Sequence, residues 1–249
     1  TDYALKWLKG NDQNKLFFLY LSHKAVHANF SPARKHAGTY SNTAVHYPPS
    51  MFLTASDTSK TYGLSHNQIR NESTRLKANL QDIPEWVRKQ RYSWHGVDYM
   101  YDNTIDFNSF YKQYLDTLLG IDESIGQLLQ YLKSVGLDKS TLVIYMGDNG
   151  FSFGEHGLID KRHMYEESMR VPLMAWCPEL IDANTKISEM VQNIDIAPTI
   201  LELAGIKKPV QMQGESFSPL LQGKKIPWRD KVFYEYYWED AFPQTPSIF

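Results

Sequence analysis

The chain has 249 residues, 42% hydrophobic and 22% charged, with a formal net charge of −2. That is enough length and apolar content for one sizeable α/β domain. The near-neutral charge excludes the basic footprint of a nucleic-acid binder, and no apolar run approaches the roughly 18 residues of a membrane span. The single cysteine, Cys177, excludes an internal disulfide framework and leaves the compartment open. No signal peptide is visible, which says little if a targeting segment lies upstream. Asn29-Phe-Ser and Asn71-Glu-Ser fit the glycosylation sequon, a motif short enough to arise by chance.

In chain order, Leu16–Ser22 is a continuous apolar run of strand length, as expected of a strand covered on both faces. Residues 31–96 are rich in Ser, Thr, Asn, His and Pro and read as a long loop excursion of the kind that carries binding groups. From Phe107 to Val135 apolar residues recur at helical spacing, and Gly136 can end that helix in a left-handed cap. Strands are expected at Thr141–Met146 and Val171–Trp176. Asn193 or Asp195 can cap a helix running to Ala204, with Pro198 tolerated in its first turn and Gly205 at its end. Lys231–Tyr236 reads as a final strand, and there are no internal repeats. This order favours an α/β fold, a mainly parallel sheet with helices on both faces.

The most informative stretch is Ser140–Arg170. Its strand breaks at Gly147, and Asp148, Asn149 and Gly150 follow at once. In open α/β sheets ligands bind outside the carboxyl ends of the strands. An acidic–amide pair on such an edge suits calcium or magnesium, which take oxygen ligands. A lysine a short loop away, Lys161, can meet an anion on that metal. Taken alone, Asp-Asn-Gly is also ordinary turn chemistry.

The longer pattern decides between them. Gly147-Asp148-Asn149-Gly150, Gly154-Glu155-His156-Gly157, Lys161, Tyr165-Glu166 and Arg170-Val171-Pro172 resemble the C-terminal signature of the type I, formylglycine-dependent sulfatases of the alkaline phosphatase-like superfamily. Phe17–Phe30 resembles the sulfatase strand ending in H-K-x-P-H-x-P-F, with Val26 and Asn29 where prolines are common. Asn193–Leu221 resembles the family's D-[I/L]-x-P-T helix and M-x-G-x-S-x-x-P-L-L stretch. The wording around Lys161 is nearest to the glucosamine-6-sulfatase and heparan-type branch. The resemblance implies a sulfuric ester hydrolase acting on a sulfated carbohydrate, such as a 6-sulfated glucosamine unit of a glycosaminoglycan, and a periplasmic, secreted or lysosomal setting. It puts Asp148 and Asn149 on calcium, with magnesium the other candidate. It makes His27 the proton donor to the leaving alcohol and Lys161 a contact to the sulfate and bridging oxygen. His23, Lys24, Arg162, His163, Trp94 and His95 become substrate-binding candidates. His156 reads as a structural turn residue, and Glu166–Arg170 as a buried or half-buried pair. Trp94-His95-Gly96 and Tyr236-Tyr237-Trp238-Glu239 suit stacking on a sugar, and Cys177 is a small buried hydrophobe.

The family's nucleophile motif, C-x-P-x-R or S-x-[P/A]-x-R, is not found in the chain. Cys177 is followed by Pro-Glu-Leu-Ile, and Ser31-Pro-Ala-Arg places its arginine one residue early. The Asp-Asp metal pair that precedes the first strand in the family is not found either. The expectation is a single partial catalytic domain over 1–249, with formylglycine and the remaining ligands upstream and the small C-terminal sheet domain absent or only begun. Such a piece would be inactive alone. Oligomeric state is left open. The rivals are a phosphoryl or phosphonate ester hydrolase of the same superfamily, and a catalytically dead, binding-only relative.

Overall fold

The computed structural model describes residues 1–12, 15–52, 85–91, 93–97, 100 and 106–235. The Asn71 sequon and the aromatic tail 236–239 lie outside them. Two compact units are found, one containing 1–131 and 149–170, the other 132–148 and 171–235.

In the first unit, helix α1 (Asp2–Gly10) buries Ala4 and Leu8, which stand four apart on one face. Over residues 16–24 exposure alternates residue by residue, the period of a strand. Leu16, Phe18 and Tyr20 are exposed while Phe17, Leu19 and Leu21 are half-buried. The expected strand Leu16–Ser22 thus has one covered face, not two, and makes no ladder among the described residues. Helix α2 (Glu85–Arg91) and the long α3 (Phe107–Ser134) follow. Buried Asp116 on α3 accepts the backbone N–H groups of Gly38 (2.7 Å) and Tyr40 (3.0 Å), which fixes the first part of the 31–96 excursion. A short hairpin pairs β2 (Ser152–Phe153) with β3 (Ile159–Asp160). The core joins Tyr47, Met51, Val97, Met100, Phe107 and Ile159, with Phe151 and Phe153 packed against it.

The second unit begins in the last turn of α3. Gly136 adopts φ +73°, donating to Lys133 O, while Leu137 N–H reaches back to Leu132 O at 2.9 Å. That is the expected left-handed cap with its six-to-one bond. Strand β1 (Val143–Met146) pairs antiparallel with β4 (Leu173–Trp176), each two residues shorter at its start than the expected strand. Between them in sequence lies α4 (Glu166–Met169), which belongs to the first unit. Helix α5 (Ile196–Leu203) carries Pro198 in its first turn and ends at Gly205 (φ +70°), and α6 is Ser218–Leu221. Phe217, Leu220 and Leu221 form the core against Ile144 and Ala175.

The α/β class holds, but both ladders among the described residues are antiparallel. Parallel neighbours need a crossover between two strands of one sheet. The runs expected to supply more strands do not: Leu16–Ser22 makes no ladder, and 231–235 carries no regular structure. No helix among the described residues is long and apolar enough to cross a membrane.

Candidate functional site

The β1 strand delivers Gly147 at its end, and the Gly147 N–H donates to Pro172 O beside β4 at 3.3 Å. Asp148 follows, exposed, with its backbone carbonyl accepting from the Asn193 side chain at 2.9 Å. Asn149 is exposed too, and its amide nitrogen donates to Gly150 O at 2.7 Å. Gly150 must be glycine: its N–H donates to Ser168 O at 2.8 Å, and a Cβ there would lie 1.9 Å from Glu167 O. Two hard oxygen-bearing side chains in sequence on an exposed turn fit part of the shell of calcium or magnesium. They are well short of the about six to eight oxygens that calcium takes, and no cluster of three or more His, Cys, Asp or Glu suited to a metal occurs among the described residues.

The Gly154–Gly157 turn reverses the β2–β3 hairpin through left-handed backbone at Gly154 (φ +101°), His156 (φ +57°) and Gly157 (φ +74°). Burial pushes the Glu155 carboxyl up, although it accepts the Phe153 N–H at 2.6 Å. The His156 N–H donates to Ser50 Oγ at 3.0 Å, and the ring stacks on Tyr165 with centroids 3.8 Å apart. His156 is therefore held as the structural residue its flanking glycines imply, by its backbone and ring face. Glu166 and Arg170 do pair, four apart on one side of α4, but the pair is exposed and not buried. A helix this short lies on the surface and covers neither partner.

The hairpin's second strand carries the chemistry-rich run. Asp160, buried and at φ +120°, sits 2.7 Å from His95 Nδ1 and also pairs with Arg162. Burial raises the Asp160 carboxyl, but the His95 hydrogen bond and the Arg162 charge outweigh it and hold it low. Trp94 is 53% exposed, its ring packs on His95 at 3.6 Å, and the Arg162 guanidinium lies 5.8 Å from its centroid. Trp94, His95 and Arg162 are thus brought together, with an exposed aromatic face beside a cation. His163 is buried, and desolvation lowers its imidazole from 6.5 to about 4, against the Asp160 carboxylate that would raise it. It is neutral at pH 7 and offers hydrogen bonds, not charge. Lys161 lies between these groups in sequence, half-buried, with no ion pair to a described residue.

The upstream candidates sit differently. His23 Nε2 lies 2.9 Å from the buried Ser124 Oγ on α3, and burial followed by the N-terminal charge lowers its imidazole. Lys24 and His27 are exposed; the His27 N–H closes a turn on Lys24 O at 2.9 Å, and its Nδ1 lies 2.7 Å from Ala28 O. His23 is engaged with a helix, whereas His27 is exposed to solvent. The sequence reading gave Asp160 no role. Its partner His95 is 65 residues away in the chain, and no local pattern announces a pair of that separation.

Residues 154–247 match the family model described as N-sulphoglucosamine sulphohydrolase, C-terminal. The whole chain is 32% identical to an N-acetylglucosamine-6-O-sulfatase of Bacteroides thetaiotaomicron and covers 50% of it. It is 38% identical over 60% of its length to the N-acetylglucosamine-6-sulfatase of Bos taurus, covering 28% of that protein. A solved structure in complex with its substrate D-glucosamine-2-N,6-O-disulfate superposes on 96% of the chain and 55% of its own length, with a TM-score of 0.73 and 31% identity. The chain therefore spans half the length, or less, of the curated relatives it matches. Relatives also include a protein named an extracellular sulfatase.

Proposed function

The chain belongs to the sulfatase family of the alkaline phosphatase-like superfamily, and from that premise we propose that the full-length protein hydrolyses a sulfate ester of a carbohydrate, the 6-sulfate of a glucosamine unit of a glycosaminoglycan. The observation that carries this reading is the likeness to an N-acetylglucosamine-6-O-sulfatase along the whole chain. The matched family model is described for an N-sulfatase, but two relatives of the chain are named for the 6-sulfate, and the 6-O position is preferred on that ground.

Each residue then has a role suited to its setting. Asp148 and Asn149 are two oxygen ligands of a calcium ion, with magnesium the alternative, which when bound polarises a sulfate oxygen. Formylglycine is expected as the nucleophile in the region preceding the chain. His27, exposed on its turn, protonates the leaving alcohol, a proton transfer that a positioned imidazole can perform. Lys161 places a cation against the sulfate. Trp94 offers an aromatic face for the sugar, with Arg162 beside it and the His95 ring packed against it, while His163, His23 and Lys24 supply further substrate contacts. The setting is periplasmic, secreted or lysosomal.

The test is a substrate panel for the full-length protein: glucosamine carrying sulfate at 6-O alone, at N alone or at both, beside a phosphonate monoester. Turnover led by the 6-O-sulfated sugars supports the reading. Faster turnover of the phosphonate monoester moves the protein to the rival ester-hydrolase class, and turnover of N-sulfate alone overturns the 6-O assignment.

A further inference from the structure

We propose that Asn193 is a positioning residue for the metal loop, holding the backbone of Asp148 so that its carboxylate leaves the strand end in one direction. This rests on the reading of Asp148 as a metal ligand. The Asn193 amide nitrogen donates to Asp148 O at 2.9 Å and lies 3.4 Å from Gly147 O. Both neighbours are carbonyls, so only the NH₂ end of the amide can face them. On its other side Gly147 is tied to Pro172 O, so the strand end is gripped at both its N–H and C=O groups.

The grip is only as firm as the turn that presents Asn193. That turn, Asn193–Asp195, is closed by a reciprocal cap: Gln192 N–H donates to Asp195 Oδ2 at 2.8 Å, and the Gln192 side chain accepts from the Asp195 backbone. Asp195 is fully buried and also accepts Glu215 N–H at 2.8 Å and both terminal nitrogens of Arg229, a bidentate charge-assisted contact. Its carbonyl takes the Thr199 hydroxyl at 2.7 Å, which in turn accepts Phe217 N–H at 3.0 Å. A turn fixed from so many sides holds Asn193 in place. Helix capping does not account for the Asn193 side chain, because Gln192 and Asp195 fill that role. Asn193 is itself exposed, so replacing it leaves the core intact.

Partners that orient a ligand without touching the metal typically change metal affinity by about 10–100-fold when removed. The experiment strips the full-length protein of metal and titrates it with calcium by calorimetry, measuring the melting temperature of the metal-free form alongside. The proteins are wild type, Asn193→Ala, Asn193→Asp and Asp148→Ala. Asn193→Ala is expected to raise the calcium Kd by at least about tenfold with the metal-free melting temperature unchanged. Asn193→Asp keeps the shape, loses the donor and adds a negative charge. Positioning predicts weaker binding there, whereas a simple charge effect predicts tighter binding. Unchanged calcium affinity in both Asn193 variants, with Asp148→Ala still impaired, overturns this inference alone. So does tighter binding by Asn193→Asp, or affinity that falls only in step with the melting temperature. Unchanged affinity in Asp148→Ala overturns the metal reading, and this inference with it.

Discussion

His163 shows how burial decides what a residue contributes. Its imidazole is lowered by desolvation from 6.5 to about 4, so the folded state binds fewer protons than the unfolded state between those values. Stability is therefore complete above about pH 6.5 and falls as pH drops toward 4, a loss of about 3 kcal/mol for that difference in pKa. His163→Gln, which cannot titrate, should flatten this limb. Urea unfolding at pH 7 and pH 4.5 checks it, and an unchanged difference between the two pH values would put the acid sensitivity elsewhere. His27 and Lys161 separate by chemistry instead. If His27 protonates the leaving alcohol, His27→Ala should slow sugar sulfates by about 10²–10⁴-fold and spare aryl sulfates with acidic phenols. Lys161→Ala should weaken both classes, because its charge meets the sulfate whichever alcohol leaves. A leaving-group series in the full-length protein decides; equal losses in His27→Ala would make His27 a sulfate contact and not the acid.

At the scale of elements, Gly150 packs directly on the backbone of α4. Gly150→Ala would set a methyl 1.9 Å from Glu167 O, where backbone and not a flexible side chain must give way. The variant should lower the melting temperature and displace Asn149; an unchanged melting temperature would show that the loop yields freely. Elements with a local signature were legible in the sequence. The α3 periodicity and its Gly136 cap, the α5 helix ending at Gly205, and the Gly154–Gly157 turn all depend on residues within a few positions of each other. What was not legible depends on distant partners. Asp195 does stand at the N-cap of α5, one of the two expected caps, but Asn193 reached 45 residues back to Asp148, while the Asp195 carboxylate found Arg229 and Asp160 found His95. The apolar run Leu16–Ser22 takes the exposure period of a strand but joins no ladder among the described residues, since pairing and a second buried face need neighbours that no local pattern specifies.

At the scale of the molecule, two compact units carry a sulfatase-family sequence that spans half the length, or less, of its curated relatives. One holds Lys161, His27 and the Trp94–Arg162 face, and the other holds Asp148 and Asn193. We read the loop after β1 as part of the machinery of a sulfate-ester hydrolase. The most direct measurement is sulfate released over time from N-acetylglucosamine-6-sulfate, followed by ion chromatography, with full-length wild type and Asp148→Ala side by side. Steady release by wild type and a rate lower by orders of magnitude in the variant are expected; equal rates in the two proteins, or no release by wild type with calcium supplied, would rule this role out.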